Sequence, residues 1–110
     1  MHLSSSAYAD EIIASDPGIV IVDISAEWCG PCRMLEPILH QLAEEIADLT
    51  VLELDIDASP ELARRYDVMS FPTLLFFVEG QLVRRLIGAR SLAALREEID
   101  QVRTAVTSSA

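Results

Sequence analysis

Ile19-Val20-Ile21-Val22-Asp23-Ile24-Ser25-Ala26-Glu27-Trp28-Cys29-Gly30-Pro31-Cys32 is the stretch that decides how this chain folds. From Ile19 to Ile24 it is apolar on both faces except at Asp23, the pattern of a strand buried on both sides in a parallel α/β sheet. The strand breaks at Trp28-Cys29-Gly30-Pro31-Cys32, which holds the only two cysteines and the only tryptophan. Beyond it Leu35, Leu39, Leu42 and Ile46 recur at helical spacing. Both thiols therefore fall where a buried strand gives way to a helix.

That position has chemical consequences. The first turn of a helix offers free N–H groups and the positive end of the macrodipole, so a thiolate there is stabilised and its pKa falls. Cysteines two residues apart can close a disulfide across such a turn with little rearrangement. Pro31 lacks an N–H that the first turn does not need, and it stiffens the ring. Such a ring can open and close without unfolding the protein. The competing readings are an inert disulfide and half of a zinc site. Zinc needs further ligands, and only His2 and His40 could join, neither at ligand spacing, so no metal is expected.

The chain has 110 residues, about half of them hydrophobic, which fits one domain over residues 1–110 with one core. Eighteen acids against eight bases give a formal charge of −10 and argue against a nucleic-acid groove. The acidity either favours partners with basic patches or only aids solubility. No apolar run is long enough for a membrane span. The start shows no basic-then-apolar secretory pattern. A lone cysteine pair fits a reducing compartment rather than a stapled secreted domain.

The remaining elements follow in order. Met1 to Leu3 is a first strand, short or absent. Ser4, Ser5 and Ser6 are N-cap candidates for a helix to about Ala14, with Tyr8, Ile12 and Ile13 inward. Asp16-Pro17-Gly18 is a turn. The helix after the cysteines runs from about Cys32 to Ala47 and contains Pro37; His40 on it reads as a surface residue. Thr50 to Ile56 alternates as a strand. Ser59-Pro60 opens a short helix to about Tyr66. Thr73 to Val78 and Leu82 to Ile87 form an antiparallel hairpin around Glu79-Gly80. Ser91 caps a last helix with Leu92, Leu95, Ile99, Val102 and Val106 on one face, and Thr107 to Ala110 is expected to fray.

Trp28-Cys29-Gly30-Pro31-Cys32 resembles the active-site motif of the thioredoxin family. Asp23 before it, Pro37 after it, Phe71-Pro72-Thr73 downstream, and Gly80 and Gly88 all match the family pattern. The resemblance covers about Ile19 to Ile99. It implies the thioredoxin fold, an α/β architecture with a central mixed β-sheet flanked by helices on both faces. It also implies a protein-disulfide reductase working through a reversible Cys29–Cys32 disulfide. No bound cofactor is implied. The expected partners are a thioredoxin reductase as electron donor and protein disulfides as substrates. A cytoplasmic monomer serving electron transport and cell redox homeostasis is the expected setting.

Position assigns the thiols. Cys29 lies nearer the loop, so it is expected to be the more exposed thiol and the nucleophile. Cys32, one turn inside the helix, resolves the mixed disulfide. Trp28 either packs beside the thiols and shapes the substrate surface or is a plain core aromatic. An acid inside an apolar strand costs free energy unless paired or protonated. The resemblance makes Asp23 the buried acid/base beneath Cys32. Pro72 by itself reads as a strand-entry proline with a trans bond. The resemblance instead implies a cis bond facing the disulfide, with the Phe71 backbone pairing to an extended substrate. By the same resemblance Gly30, Pro31 and Gly88 join Trp28, Phe71 and Pro72 in the substrate surface.

Three departures modulate this picture. Ser25 replaces a common tryptophan, making the rim smaller and more polar. Glu53 stands where many members have lysine, which removes a cationic partner from the acid near Cys32. Arg33 replaces a frequent lysine and keeps its charge. Two other functions fit the same fold: a non-enzymatic partner or chaperone subunit, and a specialised redox partner of one enzyme.

Overall fold

The computed structural model describes residues 2–3, 6–58 and 60–108. The elements in order are β1 (His2–Leu3), α1 (Ser6–Ser15), β2 (Ile19–Ser25), α2 (Gly30–Glu45), β3 (Leu49–Asp55), α3 (Pro60–Arg65), β4 (Thr73–Val78), β5 (Gln81–Ile87) and α4 (Leu92–Ser108). The five strands form one sheet in the order β1-β3-β2-β4-β5. β3 runs parallel to both β1 and β2, whereas β4 is antiparallel to β2 and β5 to β4. The expected mixed sheet is present, and its first strand is two residues long.

Alternation along β2 builds the two faces. Ile19 and Ile21 pack with Leu35, Leu39 and Leu42 of α2 and with Leu95, Ile99 and Val102 of α4. Val20, Val22 and Ile24 pack on the other face with Ala9 and Ile13 of α1 and Leu62 of α3. Side chains two apart share a face of a strand, so Asp23 points the same way as Ile21, toward α2. By the same rule Glu53 follows Leu49 and Val51 to that face. The Asp23 and Glu53 positions are partners across β2 and β3. The core is apolar along most of the α2 face and acidic at its carboxyl end.

The turns have local causes. In Asp16-Pro17-Gly18 the Gly18 N–H donates to Asp16 Oδ1 at 2.8 Å, and Thr50 Oγ1 donates to Asp16 Oδ2 at 2.7 Å. A side chain at Gly18 would run into the Asp48 backbone carbonyl. The β4–β5 hairpin turns through Glu79 and Gly80, both at positive φ (51° and 79°), the geometry of a two-residue turn that matches strand twist. Ser91 Oγ accepts from the Ala94 N–H at 3.1 Å and caps α4.

Several boundaries and orientations differ from the sequence reading. Tyr8 does not face inward: it is exposed, and Ala9 with Ile13 makes the buried stripe of α1, with Ile12 half-buried. The small Ala9 lets α1 sit close to the sheet. α2 starts at Gly30 rather than Cys32 and ends at Glu45, because the Cys29 sulfur caps its first turn. β3 spans Leu49–Asp55, and β5 begins at Gln81. α4 continues to Ser108, past the expected fray at Thr107, and Val106 is exposed rather than inward. Residues 109 and 110, and the cap candidates Ser4, Ser5 and Ser59, lie outside the described residues.

Candidate active site

Cys29 and Cys32 are joined as a disulfide with their Cα atoms 5.3 Å apart. Cys29 is the N-cap of α2 in an extended conformation, and its Sγ accepts the Cys32 N–H at 3.2 Å. Gly30 and Pro31 form the first helical residues, where no N–H partner is missing. The sequence puts the sulfur there because β2 delivers the chain to the carboxyl edge of the sheet, and Gly-Pro allows the helix to start at once. In the reduced state this N–H and the helix N-terminus favour a thiolate on Cys29.

The two cysteines are not distinguished by residue exposure, contrary to the expectation for Cys29: each is 5 % exposed. What distinguishes them is position, Cys29 as cap and Cys32 inside the helix. Ala26 clusters with them, and Ile56 and Phe71 pack against that cluster.

Trp28 is not a core aromatic; it is 71 % exposed. Its ring meets Phe71 edge to face, with centroids 5.6 Å apart. The Phe71–Pro72 bond is cis. Gly88 lies at φ 92°, and its N–H donates to the Pro72 carbonyl at 2.9 Å, with open space where a side chain would project. Met34, Met69 and Ile87 are further exposed apolar side chains, carried by α2, the loop before Phe71 and the residue before Gly88.

Beneath the disulfide lies an open cavity of about 670 Å³ whose lining includes Cys32, Asp23, Ser25, Glu36, Glu53 and Arg33. Asp23 is 2 % exposed and its Oδ1 has no hydrogen-bond partner among the described residues. Burial, and then the nearby Glu53 and Glu36 carboxylates, push its pKa up to about 7. Ser25 is half-buried. Arg33 folds back, donating to the Glu27 carbonyl at 2.9 Å.

Two residues of this site, His40 and Glu36, have no site role in the sequence reading. Glu53, expected to modulate the acid near Cys32, is 3 % exposed, and His40 Nε2 stands 2.6 Å from its Oε1. His40 is thus not merely a surface residue, and Glu53 has a cationic partner whenever that imidazole is protonated. Glu36 completes the group: Glu36, His40 and Glu53 bring one polar atom each within 4.8 Å of the others. The signal was present in the numbering. Cys32, Glu36 and His40 follow one another at the four-residue spacing that stacks side chains along one helix face.

A disulfide spanning the first turn of a helix, over a buried acid that titrates near neutrality, defines a thiol–disulfide exchange protein. The thioredoxin family model matches residues 1–101. The thioredoxin of Mycobacterium tuberculosis is 45% identical over 103 residues, covering 93% of this chain and 88% of that one. The bifunctional thioredoxin reductase/thioredoxin of Mycobacterium leprae is 43% identical over 99 residues, 89% of this chain but 21% of that longer protein. A mutant thioredoxin from Halobacterium salinarum superposes with a TM-score of 0.85 at 34% identity, over 92% of this chain and 88% of that one. The chain belongs to the thioredoxin family. It is a thiol–disulfide oxidoreductase that reduces protein disulfides through the Cys29–Cys32 couple.

Proposed function

We propose that Cys29 is the nucleophile, Cys32 the resolving thiol and Asp23 the proton acceptor for Cys32. The observation that carries this reading is the shared cavity of Cys32 and Asp23 below a sulfur that caps a helix. The Cys29 thiolate attacks one sulfur of a substrate disulfide, and the other leaves as a thiolate. Cys32 then gives its proton to the Asp23 carboxylate and attacks the Cys29 sulfur. The second substrate sulfur leaves, and the Cys29–Cys32 disulfide forms. Two electrons pass to the substrate. A pKa near 7 lets Asp23 accept a proton and return it within the neutral range.

Substrate docks over Trp28, Gly30, Pro31, Phe71, Pro72 and Gly88. The exposed Trp28 ring supplies apolar contact, and the bare Gly88 leaves room for an extended chain beside the Phe71 backbone. A thioredoxin reductase returns the two electrons; the Mycobacterium leprae relative, whose name joins both activities, supports that pairing. The chain acts as a monomeric single domain in the cytoplasm, as a carrier in electron transport and cell redox homeostasis. No helix among the described residues is long and apolar enough to cross a membrane. The dithiol is its own redox group, without a bound cofactor. Reduction of insulin disulfides with dithiothreitol, and then with a reductase and its reductant, tests the reading. Turnover that survives loss of either cysteine would refute it.

A further inference from the structure

We propose that His40 is a positioning residue for the resolving step: paired with the buried Glu53, it sets how readily Asp23 takes the Cys32 proton. The inference rests on the reading of Asp23 as that acceptor. Its basis is geometric. His40 Nε2 lies 2.6 Å from Glu53 Oε1, and the His40 side chain is 52% exposed against 4% for Glu53. Glu53 is the register partner of Asp23 and lies on the same sheet face. The pair is therefore an electrical link: one end meets solvent, and the other ends beside the acid under Cys32.

The direction follows from charge. The nearby Glu53 and Glu36 carboxylates oppose ionisation of Asp23. An imidazolium at His40 offsets part of the Glu53 charge, so Asp23 ionises more easily and is a better acceptor. With a neutral side chain at position 40, Asp23 feels Glu53 more strongly and holds its own proton tighter. Histidine is the side chain whose charge most often changes near neutral pH. The groups facing this link are Glu36 and His40 from α2, Asp23 from β2 and Glu53 from β3, and the cavity they share is also lined by Arg33 of α2, Asp55 of β3, and Glu27 and Asp57 of the adjoining loops. β1 also places His2 at the register position beside Glu53.

The test follows the Asp23 carboxyl directly, by carbon-detected NMR titration of the oxidised full chain. His40→Gln is expected to raise the Asp23 midpoint by about half a pH unit or more. His40→Lys should restore the wild-type midpoint or lower it. In a Glu53→Gln background, His40→Gln should have no further effect. The pH profile of the resolving step in single-turnover insulin reduction should move in the same order. An unmoved midpoint in His40→Gln, or a raised one that His40→Lys fails to restore, would overturn the proposal. So would a shift of the same size on adding EDTA to the wild type, which would mean that a bound cation rather than the imidazole sets Asp23. Because the midpoint is read without turnover, failure of the His40 link and failure of Asp23 as acceptor give separate results. The first leaves the midpoint unmoved. The second leaves the resolving rate indifferent to a moved midpoint.

Discussion

Replacing Asp23 by alanine removes an acid whose pKa is about 7 in the native fold against an ordinary value of 3.8. A group whose folded pKa is the higher binds more protons when folded, so it costs stability as pH rises between the two values. Each pKa unit is worth about 1.4 kcal/mol, which makes the full cost about 4 kcal/mol once Asp23 is ionised in both states. Asp23 is almost completely buried, so solvent screening does not discount this figure. The cavity left by alanine also costs stability, but equally at every pH, so the difference between two pH values isolates the charge. Integrating the linkage, Asp23→Ala should gain about 2.5 kcal/mol on the wild type between about pH 5 and pH 8. The assay is urea denaturation of the oxidised proteins at several pH values, with the slope of unfolding free energy checked for constancy. A difference that stays flat over this range, or that moves against the variant, would refute the buried-acid reasoning.

Four other outcomes are expected. Cys32→Ser should accumulate a mixed disulfide with substrate that Cys29→Ser cannot form; equal trapping in a non-reducing gel would reverse the roles. Trp28→Ala should leave stability within about 0.5 kcal/mol, because the ring is 71 % exposed, while slowing insulin reduction. Glu79→Asn should stabilise the fold by roughly 0.5–1 kcal/mol, since Glu79 sits at φ 51°, where asparagine is better tolerated; thermal melts read it. Leu39→Ala, at a fully buried position of α2, should cost about 2–5 kcal/mol in the same melts.

Much of this protein was legible in the order of its residues, because the signals were local. A buried strand shows as an apolar run, a hairpin as Glu79-Gly80 between two apolar stretches, and a redox turn as two cysteines around Gly-Pro. The motif residues Asp23, Cys29, Cys32 and Phe71-Pro72 were legible as a set, through the resemblance that their spacing carries. What the chain alone left open depends on which surfaces meet. Tyr8 and Ala9 are adjacent, and only the packing of α1 on the sheet decides that the alanine is buried and the tyrosine exposed. Trp28 is hydrophobic enough for a core, yet the early start of α2 leaves it on the surface against Phe71. Glu53 and His40 are far apart in sequence, and no composition or period links them. Their meeting needs β3 paired to β2 in one register and α2 laid across that face, a long-range arrangement. Only there does an exposed histidine reach the buried carboxylate beside the acid under Cys32.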